Sequence, residues 1–212
     1  MLSVIAGSTD TIGFLGLNGL FTAHITGNIV VLAAQVVAGN PTVISYILSV
    51  PVFMLVLLLT RLLASSLERS GRSTLAPLLL LQLIVLVAFL VLCVTAGPWR
   101  DADAILAIIA GMFGVAAMAV QNALVQISMT KSPTTAVMTT NVTHFMVDLG
   151  ETLVACDAGK IAAARNRAMR TLPVLVGFTI GCGLGAAGEA IAGLVPGSAH
   201  RTCSARLGDG FG

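Results

Sequence analysis

The stretch FTAHITGN, residues 21–28, is the most polar point of an otherwise apolar N-terminal region. A related stretch, TTAVMTTN, occurs at residues 134–141, about half a chain later. Each combines threonines with an asparagine between apolar runs, a pattern typical of a helix that is interrupted inside a membrane. Irregular backbone at that depth must be surrounded by protein or face a water-filled cavity. We therefore expect the fold to be organised around two interruptions.

The composition predicts that the natural solvent of this chain is lipid. Of its 212 residues, 57% are hydrophobic and only 9% are charged, and the mean hydropathy is +0.99. A soluble domain carries about 25% charged residues. The net charge of +2, without a basic patch, argues against a nucleic-acid partner. None of the four cysteines forms a C-x-x-C pair, and we expect neither a metal nor a cofactor.

Four apolar runs are long enough to cross a bilayer, which requires about 20 residues. They cover residues 42–63, 75–97, 104–129 and 172–195. Three segments that are shorter or more polar cover residues 1–20, 28–38 and 141–156. The sequence predicts an all-α, polytopic membrane bundle of about six to seven helical segments, with broken helices around residues 21–28 and 134–141.

The basic residues predict the topology. Arginine and lysine cluster in residues 61–72 and 157–170, which the positive-inside rule places in the cytoplasm as loops. An even number of crossings must separate these loops, and two of the apolar runs lie between them. The segment at 141–156 then either dips into the membrane and returns or forms half of a broken crossing. The same logic makes residues 1–38 a broken crossing whose N-terminus is inside.

The two broken units then run through the membrane in opposite directions, which is the inverted-repeat arrangement of many transporters. We expect a single transmembrane domain over residues 1–196. Its parts are a first repeat at 1–63, a linking helix at 75–97 and a second repeat at 104–195. Residues 197–212 form a polar, glycine-rich tail that we expect to be poorly ordered.

Two sets of motifs resemble a known family. AGSTDTIGF at residues 6–14, followed by the stretch at 21–28, looks like the signature of the YoaK family. MAVQNA at residues 118–123, with TTAVMT at 134–139, is similar to the second signature of that family. Its members are bacterial multi-pass membrane proteins that carry a domain of unknown function. The resemblance covers nearly the whole chain and implies a bacterial cytoplasmic membrane protein, without supplying an activity.

Nine residues at the two interruptions are predicted to bind a small polar or anionic solute. In the first half they are Asp10, His24, Thr26, Gly27 and Asn28, and in the second half Gln121, Asn122, Thr139 and Asn141. Asn28 and Asn141 stand where a short helix would begin, and a helix N-terminus offers free N–H groups and partial positive charge to an anion. In the alternative interpretation, the same residues only cap helix ends where the two repeats touch.

Asp10 is the sharpest candidate because a carboxylate in a membrane segment is costly and usually functional. It can carry a proton, bind a cation or hydrogen-bond the interruption. His24 titrates near neutral pH and can relay protons with Asp10, or it can serve as a structural hydrogen-bonding group. Gln121 and Asn122 either line the site opposite Asp10 or form hydrogen bonds between helices.

Two further patterns have structural interpretations. One helical face carries Asn141, His144, Asp148 and Glu151. We interpret this face as the solvated side of a helix and not as a metal site, although histidine and carboxylate at this spacing can share a metal. Gly177, Gly181 and Gly185 form a ridge of small residues that predicts close helix packing, within the chain or in a homo-oligomer.

The sequence contains no phosphate-binding loop, no G-x-S-x-G and no H-E-x-x-H, and we expect no enzymatic activity. The leading hypothesis is a small secondary transporter or permease that binds its solute between the two half-helices. Asp10 and His24 would handle a coupled proton. The alternative is a non-transporting membrane scaffold in which the interruptions serve packing alone.

Overall fold

The computed structural model describes residues 1–39, 43–96, 105–128, 138–155 and 157–192, and all of its regular structure in that part of the chain is helical. Its seven helices are α1 Leu2–Gly16, α2 Ile25–Val37, α3 Ile44–Arg69, α4 Leu75–Ala96, α5 Ile105–Ser128, α6 Met138–Val154 and α7 Ala158–Ala192. By length and composition, α3, α4, α5 and α7 can each cross a membrane. The prediction of an all-α, polytopic membrane bundle with six to seven helical segments is confirmed.

The basic segments are more helical than predicted. Helix α3 continues to Arg69 and α7 already begins at Ala158, so the expected loops at 61–72 and 157–170 were largely wrong. Alanine, leucine, arginine and lysine are all good helix formers, so these helices continue past the apolar runs that define the spans. A true turn follows α3, where Gly71 adopts a positive φ of 67°.

Helix α5 lies at the centre of the bundle. Within its most apolar 18-residue window 61% of the residues are buried, against 17–22% in the other three long helices. Tyr46 of α3 and Cys93 of α4 belong to one buried cluster with Ala107 near the start of α5. Ala64 of α3 packs with Leu124 near its end. Early residues of α3 therefore meet early residues of α5, and these two helices run in the same direction.

Helices α1 and α7 also run in the same direction and form a seam through the glycine ridge. A Cβ added to Gly177 would lie 2.5 Å from Oγ of Ser3, and a Cβ at Gly185 would lie 2.7 Å from the carbonyl oxygen of Ser8. Between them, the Ser8 hydroxyl donates to the carbonyl of Gly181 at 2.9 Å. The close packing predicted for the ridge is therefore found within the chain, against the backbone of α1.

The two short helices begin before the asparagines that were expected to cap them. Helix α2 begins at Ile25, and α6 is described from Met138, so Asn28 and Asn141 are each the fourth residue of those helices. The expectation that they stand at the helix start was wrong. Residues 134–137 and the tail at 197–212 lie outside the described part of the chain.

Candidate functional site

Asp10 lies in the middle of α1 and organises the segment that follows this helix. Its Oδ1 atom accepts hydrogen bonds from the backbone N–H groups of Thr22, at 2.7 Å, and Ala23, at 2.8 Å. The Thr22 hydroxyl lies 3.3 Å from the same oxygen. These N–H groups belong to the non-helical segment between α1 and α2, so the carboxylate supplies hydrogen-bond partners that regular structure does not provide there. The chain is thereby held back against α1.

His24 connects this buried carboxylate to open space. Its Nδ1 atom lies 2.5 Å from Oδ2 of Asp10. The aspartate side chain is 6% exposed, whereas the histidine side chain is 32% exposed. The imidazole edge meets the rings of Phe21 and Phe178, which hold it in place. A proton on Nδ1 satisfies the contact in both the neutral and the protonated ring, so the second ring nitrogen can gain or lose a proton while the contact persists.

Asn28 closes the segment from the other end. Its Oδ1 atom accepts the N–H of Phe21 at 2.8 Å, and its Nδ2 atom donates to the carbonyl of the same residue at 2.7 Å. Nδ2 also lies 3.1 Å from the hydroxyl of Ser49 on α3. The side chain is fully buried, so Asn28 acts as a structural link between α2, α3 and the interruption.

A cavity of about 510 Å³ opens beside Asp10 and His24. Its wall is formed by Asp10, Thr11, Phe14, Leu15, Phe21, His24, Thr26, Gly27, Phe178 and Cys182. Four of the nine predicted site residues therefore share one open cavity, which α1, the interruption, the first turn of α2 and α7 border. The wall is mainly apolar with a few convergent polar groups, which is the usual character of a small-molecule site.

The predicted residues of the second half lie elsewhere. Gln121 accepts a hydrogen bond from Gln82 at 2.6 Å and donates to the carbonyl of Leu2 at 3.0 Å, which links α5 to α4 and α1. Asn122 is buried on α5. On α6, Asn141 is buried and Thr139 is exposed. Among the described residues, none of these four lines the cavity beside Asp10.

Several residues around the interruption were not predicted. Tyr46 donates to the carbonyl of Asn18 at 2.5 Å, and Ser49 donates to the carbonyl of Tyr46 at 2.7 Å. Both are polar residues inside an apolar run, a signal that could have shown that they need partners at a neighbouring element. Phe178 and Cys182 line the cavity but carry no comparable signal, because apolar residues on a membrane helix are the norm.

The acidic face of α6 points partly at α7. Arg167 donates to Asp148 at 2.8 Å and to Glu151 at 2.6 Å. Asp148 is buried, so the interpretation of this face as simply solvated was wrong there, whereas His144 is exposed. The arginine of α7 attracts the carboxylates because α6 and α7 form an antiparallel hairpin. Within the described ranges, no group of three or more potential metal ligands occurs.

Comparison with known proteins places the chain in a family. A family model described as "Protein of unknown function (DUF1275)" matches residues 1–197. No curated protein and no solved structure matches the chain. The match spans most of the sequence, including the interruption, the cavity wall and the seven helices that the structure describes. The chain is a helical protein of membrane type that belongs to the DUF1275 family of proteins of unknown function.

Proposed function

We propose that this protein is a small secondary transporter or permease of the bacterial cytoplasmic membrane, and that the cavity beside Asp10 and His24 takes a small polar or anionic solute. The observation that carries the proposal is the 2.5 Å contact between these two side chains at the wall of a cavity of about 510 Å³. Ionisable groups inside membrane segments typically mark substrate or proton pathways.

The pair offers a mechanism for coupling a proton to an anion. Asp10 accepts hydrogen bonds from the backbone of the interruption, and His24 bridges it to the cavity. A second proton on the imidazole turns the pair into a carboxylate beside an imidazolium. The imidazolium favours an anion in the cavity, and by linkage the anion favours protonation of His24. The solute and the proton would therefore bind together and leave together.

The first turn of α2 supports an anionic or strongly polar solute. Thr26 and Gly27 line the cavity, and His24 precedes the helix without capping it through its side chain. The N–H groups at the start of a helix carry partial positive charge. The N–H of Gly27 already donates to the carbonyl of His24 at 2.9 Å, so a solute bound here would accept from the N–H and the hydroxyl of Thr26.

The pairing of helices supports the proposed inverted repeat. Helix α1 runs beside α7 in the same direction, and α5 runs beside α3 in the same direction. The short helix α2 packs on α3, and the short helix α6 packs on α7. If α1, α2 and α3 are exchanged for α5, α6 and α7, respectively, the same helices remain paired. This is expected if residues 1–63 and 104–195 are related by a two-fold axis in the membrane plane.

The alternative function is a membrane scaffold that transports nothing. The observation that favours it is the use of the polar groups within the chain. The side-chain amide of Asn28 forms hydrogen bonds with Phe21 and Ser49. Asp10 accepts hydrogen bonds from the interruption with one oxygen and contacts His24 with the other. Under this function the two residues serve only to close the interrupted crossing. In neither case do we assign an enzymatic reaction.

The experiment that separates the two functions is solute-dependent proton movement in proteoliposomes. Solutes are first selected by thermal-shift screening of small anions and polar compounds in detergent. Asp10→Asn, which keeps an acceptor for Thr22 and Ala23, should abolish the proton signal while the protein stays folded and monodisperse. The matched control, Glu68→Gln at an exposed ion pair with Arg61, should transport normally. Unchanged proton movement in folded Asp10→Asn would contradict the transport mechanism.

A further inference from the structure

A second acidic residue is buried at the other end of the α1–α7 seam. Glu189 is 3% exposed, and its Oε2 atom has no hydrogen-bond partner. The carboxyl group faces Gly16, the last residue of α1: a Cβ added there would lie 3.3 Å from Oε1. The absence of a side chain on Gly16 thus leaves room for the carboxyl group at the end of the first helix.

The depth of Glu189 makes this burial expensive for a charged group. The residue lies about six positions, or roughly 9 Å at 1.5 Å per residue, beyond the middle of the apolar run 172–195. The hydrocarbon core extends about 15 Å on either side of its centre. Glu189 therefore lies within the hydrocarbon thickness, on the side that the basic-residue pattern assigns to the outer surface.

No countercharge accompanies this carboxyl group in the described part of the chain. The acidic residues of α1, α3 and α6 each have a basic partner within 4 Å. Glu189 has none, and the groups that face it are Gly16 of α1 and the thiol of Cys93 of α4. Neither a backbone glycine nor a neutral thiol can compensate a buried negative charge. The described residues also offer no further carboxylates or histidines with which Glu189 could hold a metal.

We propose that Glu189 is a proton-binding site: its carboxyl group is protonated at neutral pH and exchanges its proton at the outer end of the α1–α7 seam. A carboxylic acid is the form that this environment tolerates, because protonation removes the charge. The neutral group can also donate a hydrogen bond, which the ionised group cannot.

The position of Glu189 relates this site to the cavity. Phe178 and Cys182 of α7 line the cavity, and Glu189 follows Cys182 by seven residues, which is about two helical turns. These residues thus share one face of α7, the face that packs on α1. Under the transport function, a proton would travel about 10 Å, the rise of these seven residues, between Glu189 and the cavity that Asp10 and His24 line. This last step rests on the proposed transport function, whereas protonation of Glu189 does not.

Infrared spectroscopy of the full chain in lipid bilayers tests the protonation directly. The chain has three glutamates, Glu68, Glu151 and Glu189, and the first two form exposed ion pairs with arginine. The wild-type protein at neutral pH should show the carbonyl band of a protonated carboxylic acid, and ¹³C-labelled glutamate should shift that band. Glu189→Gln should remove the band, and the control Glu151→Gln should leave it unchanged.

The proposal is overturned if the labelled wild-type protein shows no isotope-sensitive acid band at neutral pH, or if the band survives in Glu189→Gln. Should Glu189→Gln fail to fold, the isotope shift and its loss at alkaline pH in the wild-type chain still decide, because the other two glutamates are ion-paired and exposed. Asp10→Asn should retain the band even where it abolishes solute-dependent proton movement. A failure of the transport function is therefore distinguishable from a failure of the Glu189 site.

Discussion

Asn28 binds Phe21 through both of that residue's backbone polar groups. The side-chain amide accepts from the N–H at 2.8 Å and donates to the carbonyl at 2.7 Å, and so replaces the neighbouring peptide that a helix or sheet would supply. Asn28 and Phe21 thus form a closed pair of hydrogen bonds, and the backbone N–H and C=O of Phe21 both have partners. The side chain of Asn28 is fully buried, whereas Phe21 is half-buried at the cavity wall.

Replacing Asn28 with alanine should destabilise the protein by about 2–4 kcal/mol. Each buried donor or acceptor left without a partner costs about 1–3 kcal/mol, and Phe21 would lose one partner for each of its two groups. Unfolding in detergent, followed by circular dichroism, measures the loss. Thr26→Ala, at an exposed position of the same helix turn, is the matched control and should change the stability little. Equal stability of the two variants would argue against the structural role of Asn28.

Asp10 should tolerate asparagine better than alanine. Asparagine keeps an oxygen that can accept from Thr22 and Ala23, whereas alanine leaves both N–H groups unpaired. We expect Asp10→Ala to unfold at lower temperature than Asp10→Asn, with a difference of about 2–4 kcal/mol in the free energy of unfolding. If the two variants were equally stable, the hydrogen bonds to the interruption would contribute nothing to the fold.

The glycine ridge offers a comparison between two positions on one helix. A Cβ at Gly181 would collide with the backbone of Val4, whereas a Cβ at Gly183 would meet nothing within 4 Å. Gly181→Ala should therefore force α1 and α7 apart and lower the melting temperature. Gly183→Ala should be neutral or stabilise α7 by up to about 1 kcal/mol through helix propensity. The melting temperatures of both variants in the same detergent test this, and a neutral Gly181→Ala would refute the close seam.

Arg167 should matter more to stability than Glu151. The arginine contacts both Asp148, whose side chain is 9% exposed, and Glu151, whose side chain is 40% exposed. Arg167→Met leaves the buried carboxylate of Asp148 without its partner, whereas Glu151→Gln removes one half of an exposed pair. We expect a clear drop in melting temperature for Arg167→Met and a small one for Glu151→Gln. Similar drops would show that burial of Asp148 does not decide the effect.

The membrane spans could be predicted because long apolar runs have few alternatives in lipid. The runs at 75–97 and 104–129 agree with α4 and α5 to within a few residues. The end of α3 and the start of α7 were missed. The charge of these basic segments predicts a loop, whereas their residue types favour a helix. Charge determines which side of the membrane a segment prefers and says little about its backbone.

The candidate site was only partly readable from the sequence. Asp10 and His24 were predicted to act together because ionisable residues are rare in an apolar region, and the structure places them in contact. The role of Asn28 was misread because an asparagine in the first helical turn can bind residues before the helix as easily as it can cap it. The contribution of Phe178 depends on packing between α1 and α7, which local pattern does not encode.

The α1–α7 seam has a consequence for synthesis of the protein. Ser8 and Gly181, which are joined by a hydrogen bond, are separated by 173 residues, so α1 leaves the ribosome long before its partner exists. The hydrogen bonds of Asp10 to residues 22–24 are local and can form at once. Until α7 is made, the Asp10 carboxylate of α1 therefore already has its hydrogen bonds, whereas the face of α1 that packs on Gly177, Gly181 and Gly185 has no partner. A chain that ends before α7 would keep that face exposed.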